Sequence, residues 1–338
     1  MRIILSILLL SVCHSAIIHV PGDPDNSITI QEGIDIASDG DTVLVAQGVY
    51  HENLVLHKTI TLASNALYDD LTEWYEWSSI FGNHQLTNEN IENTKIIGDL
   101  ANPDLTLGSC LLINSPDGEC ITPTIIGFTF KDGIGTTVVE MTDGEEVKTK
   151  RGGGIMVNNA VPEIHYNFFT ENKDDIHSGG GLYIGEDIGI EDYLREDRNE
   201  CDEVEIDISH NFYRDNFGGY GRTLSSNWGN IELKMTSSVF DVYVCPDTLV
   251  TPIWVYMEEE TDVDFEDGEG DYCAFSSDVY VDIDGTDFGN DGSEPFQTIT
   301  FAMGMIVPDS LNPVTIYIGE GIFAPSTTGE NYPIIMTS

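Results

Sequence analysis

Positive charge is what this sequence lacks. Only 13 Lys and Arg stand against 59 Asp and Glu in 338 residues, a formal net charge of -46. No Lys or Arg follows Lys234, whereas twenty acidic residues do. A chain this poor in cations has no electrostatic footprint for nucleic acid and none for an anionic membrane surface. Beyond the first residues, no apolar run approaches the roughly 20 residues that span a bilayer. There is no HExxH, no G-x-S-x-G and no P-loop. The six cysteines form no CxxC pair and no Cys/His spacing suited to zinc. Charged residues are only 21% and hydrophobic ones 41%, so the chain can build a core and is not a disordered polyampholyte.

The N-terminus reads as an export signal. Met1-Arg2 is a short positive start, Ile3 to Val12 is apolar apart from Ser6 and Ser11, and small residues surround Ser15-Ala16. Residues 1–16 are therefore expected to be a cleaved signal peptide, which places the mature protein outside the cell, secreted or at the cell surface. Loss of Cys13 leaves five cysteines. Disulfides are permitted there, but Cys110 and Cys120 lie near each other, Cys245 and Cys273 flank an acidic segment, and Cys201 is left over. The odd count argues against an obligatory framework.

What is present is repetition. The stretch Ile164-His-Tyr-Asn-Phe-Phe-Thr-Glu-Asn172 matches Ile208-Ser-His-Asn-Phe-Tyr-Arg-Asp-Asn216, with a looser copy from Ile125 to Gly133. Gly152-Gly-Gly-Ile-Met-Val returns as Gly179-Gly-Gly-Leu-Tyr-Ile. Each unit is a short β-rich run closed by a turn residue, and only stacked units can bury their apolar side chains. Asn and Gly are the residues expected to take the left-handed turn conformations. Asn167, Asn172, Asn211 and Asn216 are expected to stack as hydrogen-bonded ladders. The triple glycines read as tight turns where coils pack closely, not as phosphate cradles. Thr29-Ile-Gln-Glu32 is a capping box that opens a short helix with Ile30, Ile34 and Ala37 on one face. Such a helix would cover the exposed first coil.

The segment Ile28 to Ser64, with "PTIIGFTF" (123–130), "GGGIMVNN" (152–159) and "GGGLYI" (179–184), resembles pectin-lyase-like, right-handed parallel β-helix repeat proteins of the secreted bacterial surface type. The resemblance implies an all-β fold, a right-handed parallel β-helix (solenoid) with a short N-terminal capping helix, over residues 17–245. Insertions at 66–93, 136–151 and 186–204 are expected to project as polar loops. A second opening lies near the C-terminus. Val314-Thr-Ile-Tyr-Ile-Gly-Glu-Gly-Ile-Phe323 parallels Thr42 to Tyr50, and Phe296 to Ile306 parallels the first helix. Residues 277–338 therefore read as the start of a second, truncated β-helix module. Residues 246–276, with nine acidic residues between Glu258 and Asp271, read as a solvated linker.

Catalytic chemistry is thin. The resemblance implies clustered Asp residues, or calcium-bound carboxylates with an Arg or Lys base. Asp174, Asp175, Arg214 and Asp215 are the only candidates on the coils that suit, and their plainer reading is solvated turn residues. For a metal, Asp282, Asp284, Asp287, Asn290 and Asp291 offer several oxygens in one loop, as calcium requires; the alternative is an ordinary Asp/Gly/Asn turn. No cofactor is required, and calcium is the one whose ligand chemistry is present. The expected function is a secreted, non-catalytic surface, adhesion or glycan-binding module with a polysaccharide or cell-surface glycan as partner. The alternative is a polysaccharide lyase or glycoside hydrolase acting on acidic polysaccharide, a polyanion that this chain would repel unless calcium bridged the two.

Overall fold

A computed structural model describes residues 15–21, 28–98, 106–142, 145–173, 179–185, 201, 205–218, 221–229, 231–243, 252, 255–257, 261–287, 292–307, 311, 313–330 and 334. Of the expected export signal, residues 1–14 lie outside these residues, and Ser15 and Ala16 are described. The described chain is mostly β, with parallel strands in stacked sheets and no closed barrel, an arrangement compatible with a β-helix.

Three stacks run side by side. The first holds Ile17–Val20, Thr42–Val45, Thr61–Ser64, Thr124–Ile126 and Glu163–His165, and a further sheet continues with Glu205–Asp207, Glu232–Lys234 and Asp262–Asp264. The second holds seven strands, from Gly48–His51 through Thr129–Lys131, Phe168–Thr170, Phe212–Arg214 and Val239–Tyr243 to Glu269–Cys273. The third holds six, from Leu54–Leu56 to Val255–Met257. The chain visits the three in turn, so identical positions of successive repeats come to lie side by side in register. Phe130, Phe169, Tyr213 and Phe240 thereby form one interior column, with successive centroids 5.3, 5.0 and 5.8 Å apart.

The turn residues divide their labour differently from expectation. Asn167 Nδ2 donates to Asn211 Oδ1 at 3.2 Å, and Asn172 Nδ2 to Asn216 Oδ1 at 3.0 Å, so the ladders form and are buried. At these four Asn, however, the left-handed backbone falls on the preceding residue, Tyr166, Glu171, His210 and Asp215, all with φ near 55°, whereas Asn159, Gly152 and Gly179 take it themselves, with φ of 51°, 64° and 70°. The Asn side chain hydrogen-bonds to carbonyls of a neighbouring repeat, such as Asn211 Nδ2 to Ile164 O, which pins the turn from within. The triple glycines behave as expected, since a Cβ on Gly153 would stand 2.5 Å from the Lys173 carbonyl oxygen.

The short helix Ile30–Ile36 carries the Thr29–Glu32 capping box and buries Ile30 and Ile34. Two insertions fold back instead of projecting. The antiparallel hairpin of Tyr75–Ser78 and Asn83–Leu86 belongs to a segment that lies over the outer face of the second sheet, where Trp74, Ile91, Phe212 and Val239 share a buried cluster. The hairpin of Thr136–Thr142 and Glu145–Arg151 buries Val138 against Leu112, Met156 and Tyr183 outside the third sheet. Both were too polar on average to read as core, but a few large side chains suffice to cover a sheet face.

The stretch expected as a solvated linker also differs. Val255–Met257, Asp262–Asp264 and Glu269–Cys273 are strands that add a further repeat to the sheets. Their outward positions carry the acidic residues, so acidity does not prevent stacking. Beyond them, Val279–Val281 pairs in parallel with Ile316–Ile318, with the helix Ile299–Gly304 between. This strand–helix–strand unit repeats the pattern of the N-terminus. Its core includes Val242, with Tyr272 packed against it, so it is continuous with the stack below. Cys120 is joined to Cys201, across 81 residues. The left-over cysteine is therefore paired, Cys273 is also disulfide-bonded, and Cys110 is a buried thiol.

Candidate functional site

One column of the second sheet concentrates the chemistry. The third residue of each short strand faces outward, and in successive repeats it is Lys131, Thr170 and Arg214. The next two strands pair so that Asp241 and Asp271 follow in the same column. Like charges directly opposite each other on adjacent strands repel, so Asp241 and Asp271 each need a cation or a proton. Arg214 supplies one: its Nη2 lies 2.6 Å and its Nε 3.2 Å from Asp271 Oδ2. The guanidinium also stands 4.6 Å over the Phe212 ring. The other Asp271 oxygen accepts the His84 amide at 2.7 Å and faces His84 Nδ1 at 2.9 Å. Asp271 is thus a buried, fully engaged carboxylate.

Asp241 differs. Its Oδ1 accepts the Val242 amide at 2.9 Å and its Oδ2 the Asp215 amide at 3.3 Å, with no side-chain cation bonded to it among the described residues. Burial pushes its carboxyl up to about 7, the Asp215 carboxylate adds to this, and Arg222 works against it. Asp215 is raised by burial too, opposed by Arg214 and reinforced by Glu171 and Asp271. Burial lowers Arg222 to about 10 while Asp241 holds it up.

These groups line a cleft of about 440 Å³ between the second sheet and the C-terminal unit. Asp215, Asp241, Glu171, Lys173 and Arg222 form its polar wall. Phe217, Tyr272 and Phe301 supply rings, and Thr298, Thr300 and Thr328 supply hydroxyls. A concave site that mixes rings with a few convergent polar groups is the usual form of a small-ligand pocket.

Of the sequence candidates, Arg214 and Asp215 are adjacent but part company. Arg214 is held on Asp271 beneath the hairpin, whereas Asp215 turns toward the cleft. Asp174 and Asp175 lie outside the described residues. In the loop considered for calcium, Asp282 Oδ1 accepts the Asp284 amide at 3.0 Å. Asp287 accepts the Gln297 and Thr298 amides and the Thr298 hydroxyl at 2.8, 3.1 and 2.8 Å. That carboxylate is committed to the start of the C-terminal helix. Asn290 and Asp291 lie outside the described residues. Among the described residues no three His, Cys, Asp or Glu converge as a metal site. Of the five residues considered for calcium, Asp287 thus has its carboxylate oxygens already engaged by the helix start.

Asp241, Asp271, Arg222 and His84 were missed from sequence. Asp241 and Asp271 carried a signal, since each is the third residue of its strand (Val239-Phe-Asp, Glu269-Gly-Asp), aligned with Arg214. His84, 187 residues from Asp271, carried none. No protein-family model matches the chain. The curated proteins contain no match to it either.

Proposed function

We propose that the chain is a secreted right-handed parallel β-helix protein of the pectin-lyase-like kind that binds carbohydrate at a cell surface without cleaving it. The observation that carries this reading is the cleft. Its rings can stack on sugar faces, and its carboxylates and threonine hydroxyls can bond sugar hydroxyls. The handedness follows from the strong rule for parallel crossovers. Disulfide formation suits an oxidising compartment, and the acidity suits a salty one. Arg214, the cation that a cleaving enzyme would need free, is occupied by Asp271.

A second reading, a polysaccharide hydrolase or lyase, is favoured by one observation. Asp215 and Asp241 are neighbouring carboxyls raised in the same cleft, the condition under which one can act as a general acid. Calorimetric titration of the full chain with a panel of neutral and acidic oligosaccharides separates the two. Saturable binding that Thr300→Val and Tyr272→Phe weaken, without new reducing ends or unsaturated products, supports the binding module. Product release that disappears in Asp241→Asn replaces it with the enzyme, and no binding by any oligosaccharide removes both.

A further inference from the structure

His84 sits on the second strand of the hairpin that lies over the second sheet, only 5% exposed. Both of its ring nitrogens face carboxylates. Nδ1 stands 2.9 Å from Asp271 Oδ1, and Nε2 stands 2.6 Å from Glu269 Oε2. A neutral imidazole has one N–H, so it can donate to only one of these; the imidazolium donates to both. The backbone of the same residue is held as well, its amide by Asp271 and its carbonyl by Arg214 Nη2. Two neighbouring contacts join the same faces. Tyr75 OH donates to Glu269 Oε1 at 3.2 Å, and Asn83 Nδ2 to the Tyr272 hydroxyl at 3.4 Å. Tyr272 is a wall of the cleft.

We propose that this hairpin is an acid-closed strap, latched to the second sheet by the His84 imidazolium and released when that ring loses its proton. Release frees the Tyr272 wall of the cleft and bares the Phe212–Val239 face that Trp74 covers. The inference goes beyond the carbohydrate reading and does not depend on any ligand. The charged and titratable groups around the ring are Glu269, Asp271, Arg214 and Tyr272 from the sheet, with Asp215 beyond them. From the hairpin they are Tyr75 and, on the neighbouring strand, Glu76. Burial is the strongest single influence on His84 and works against its charge. The hydrogen bonds and charges of Asp271 and Glu269 together outweigh it, so its pKa stands above the ordinary imidazole value. Closure is therefore fully stabilised at low pH and loses that support as pH rises through the His84 pKa of the closed state.

Amide hydrogen exchange of residues 83–86 in the full chain tests this between about pH 5 and about pH 8, corrected for intrinsic rates, with the His84 ring followed by its own proton resonance. The expected result is loss of protection in step with the ring's titration. Glu269→Gln, at a side chain 51% exposed, should fold normally and move that step to lower pH. His84→Gln should abolish the step, whereas Asp241→Asn should keep it. Unchanged protection while the ring titrates overturns the strap, as does the same step persisting in His84→Gln.

Discussion

Glu330 caps the helix that begins at Ile299: its Oε2 accepts the Ile299 amide at 2.6 Å, and its Oε1 the Thr300 amide at 3.1 Å. At the other end of the chain, Glu52 does the same for Ile30 and Gln31, at 3.1 and 3.0 Å. In both places a Thr side chain caps the helix from the preceding position and a carboxylate from a later turn of the chain satisfies the first two amides. The likeness between the two openings thus extends from sequence to the hydrogen bonding of the first helical turn.

Glu330 is 1% exposed, and its charge-assisted bonds have no water to replace them. Glu330→Ala should cost about 3 kcal/mol, and Glu330→Gln less. The loss should localise to the C-terminal unit. Hydrogen exchange at 299–304 should rise while the amides of 205–214 stay protected, and equal loosening of both regions would contradict a local cap.

Asn211 links two repeats and accepts bonds from both the amide and the side chain of Asn167, while donating to Ile164 O and Ile208 O. Asn211→Ala leaves those buried groups without partners and should destabilise the stack by about 3 kcal/mol. Denaturant midpoints measure this. A change as small as that of an exposed Asn would show that the ladder contributes nothing.

Asp241 makes stability depend on pH in a defined direction. Its carboxyl is raised from 3.8 to about 7, so between these values the folded chain holds a proton that the unfolded chain releases. Stability from this group is therefore greatest in acid and falls as pH rises toward about 7, then levels off. Asp241→Asn should flatten that decline and gain relative to the wild type above it. Melting temperatures across the range decide the matter, and parallel curves for the two proteins would refute the assignment.

Much of the fold was legible because stacking is a local matter. Each repeat carries its own strand, turn and Asn, and similar sequences laid side by side bring like residues into register without any information from elsewhere. The capping box at Thr29 and the second opening at Val314 could be read for the same reason. The strands within 255–273 were hidden by their acidity, because the density of acidic residues says nothing about the parity that decides which side chains face out. Asp262 and Asp264 face outward, while Val263 between them packs against the core. The left-handed positions at Tyr166, Glu171, His210 and Asp215 were hidden because bulky or charged residues do not advertise that conformation; a laddered Asn beside each one holds it.

The candidate site was legible only in part. Arg214 and Asp215 stood out as a charged pair on a coil, but their separate roles depend on what lies above them. Periodic local pattern and burial suffice for the stacked parallel strands, the buried Asn ladders and the paired helical openings. The return of a distant hairpin to place His84 between Glu269 and Asp271, and the closing of a cleft over Asp241 by the C-terminal unit, come from tertiary contacts. Those contacts join segments far apart in the chain. Their energies come from desolvated charges whose partners no local pattern names.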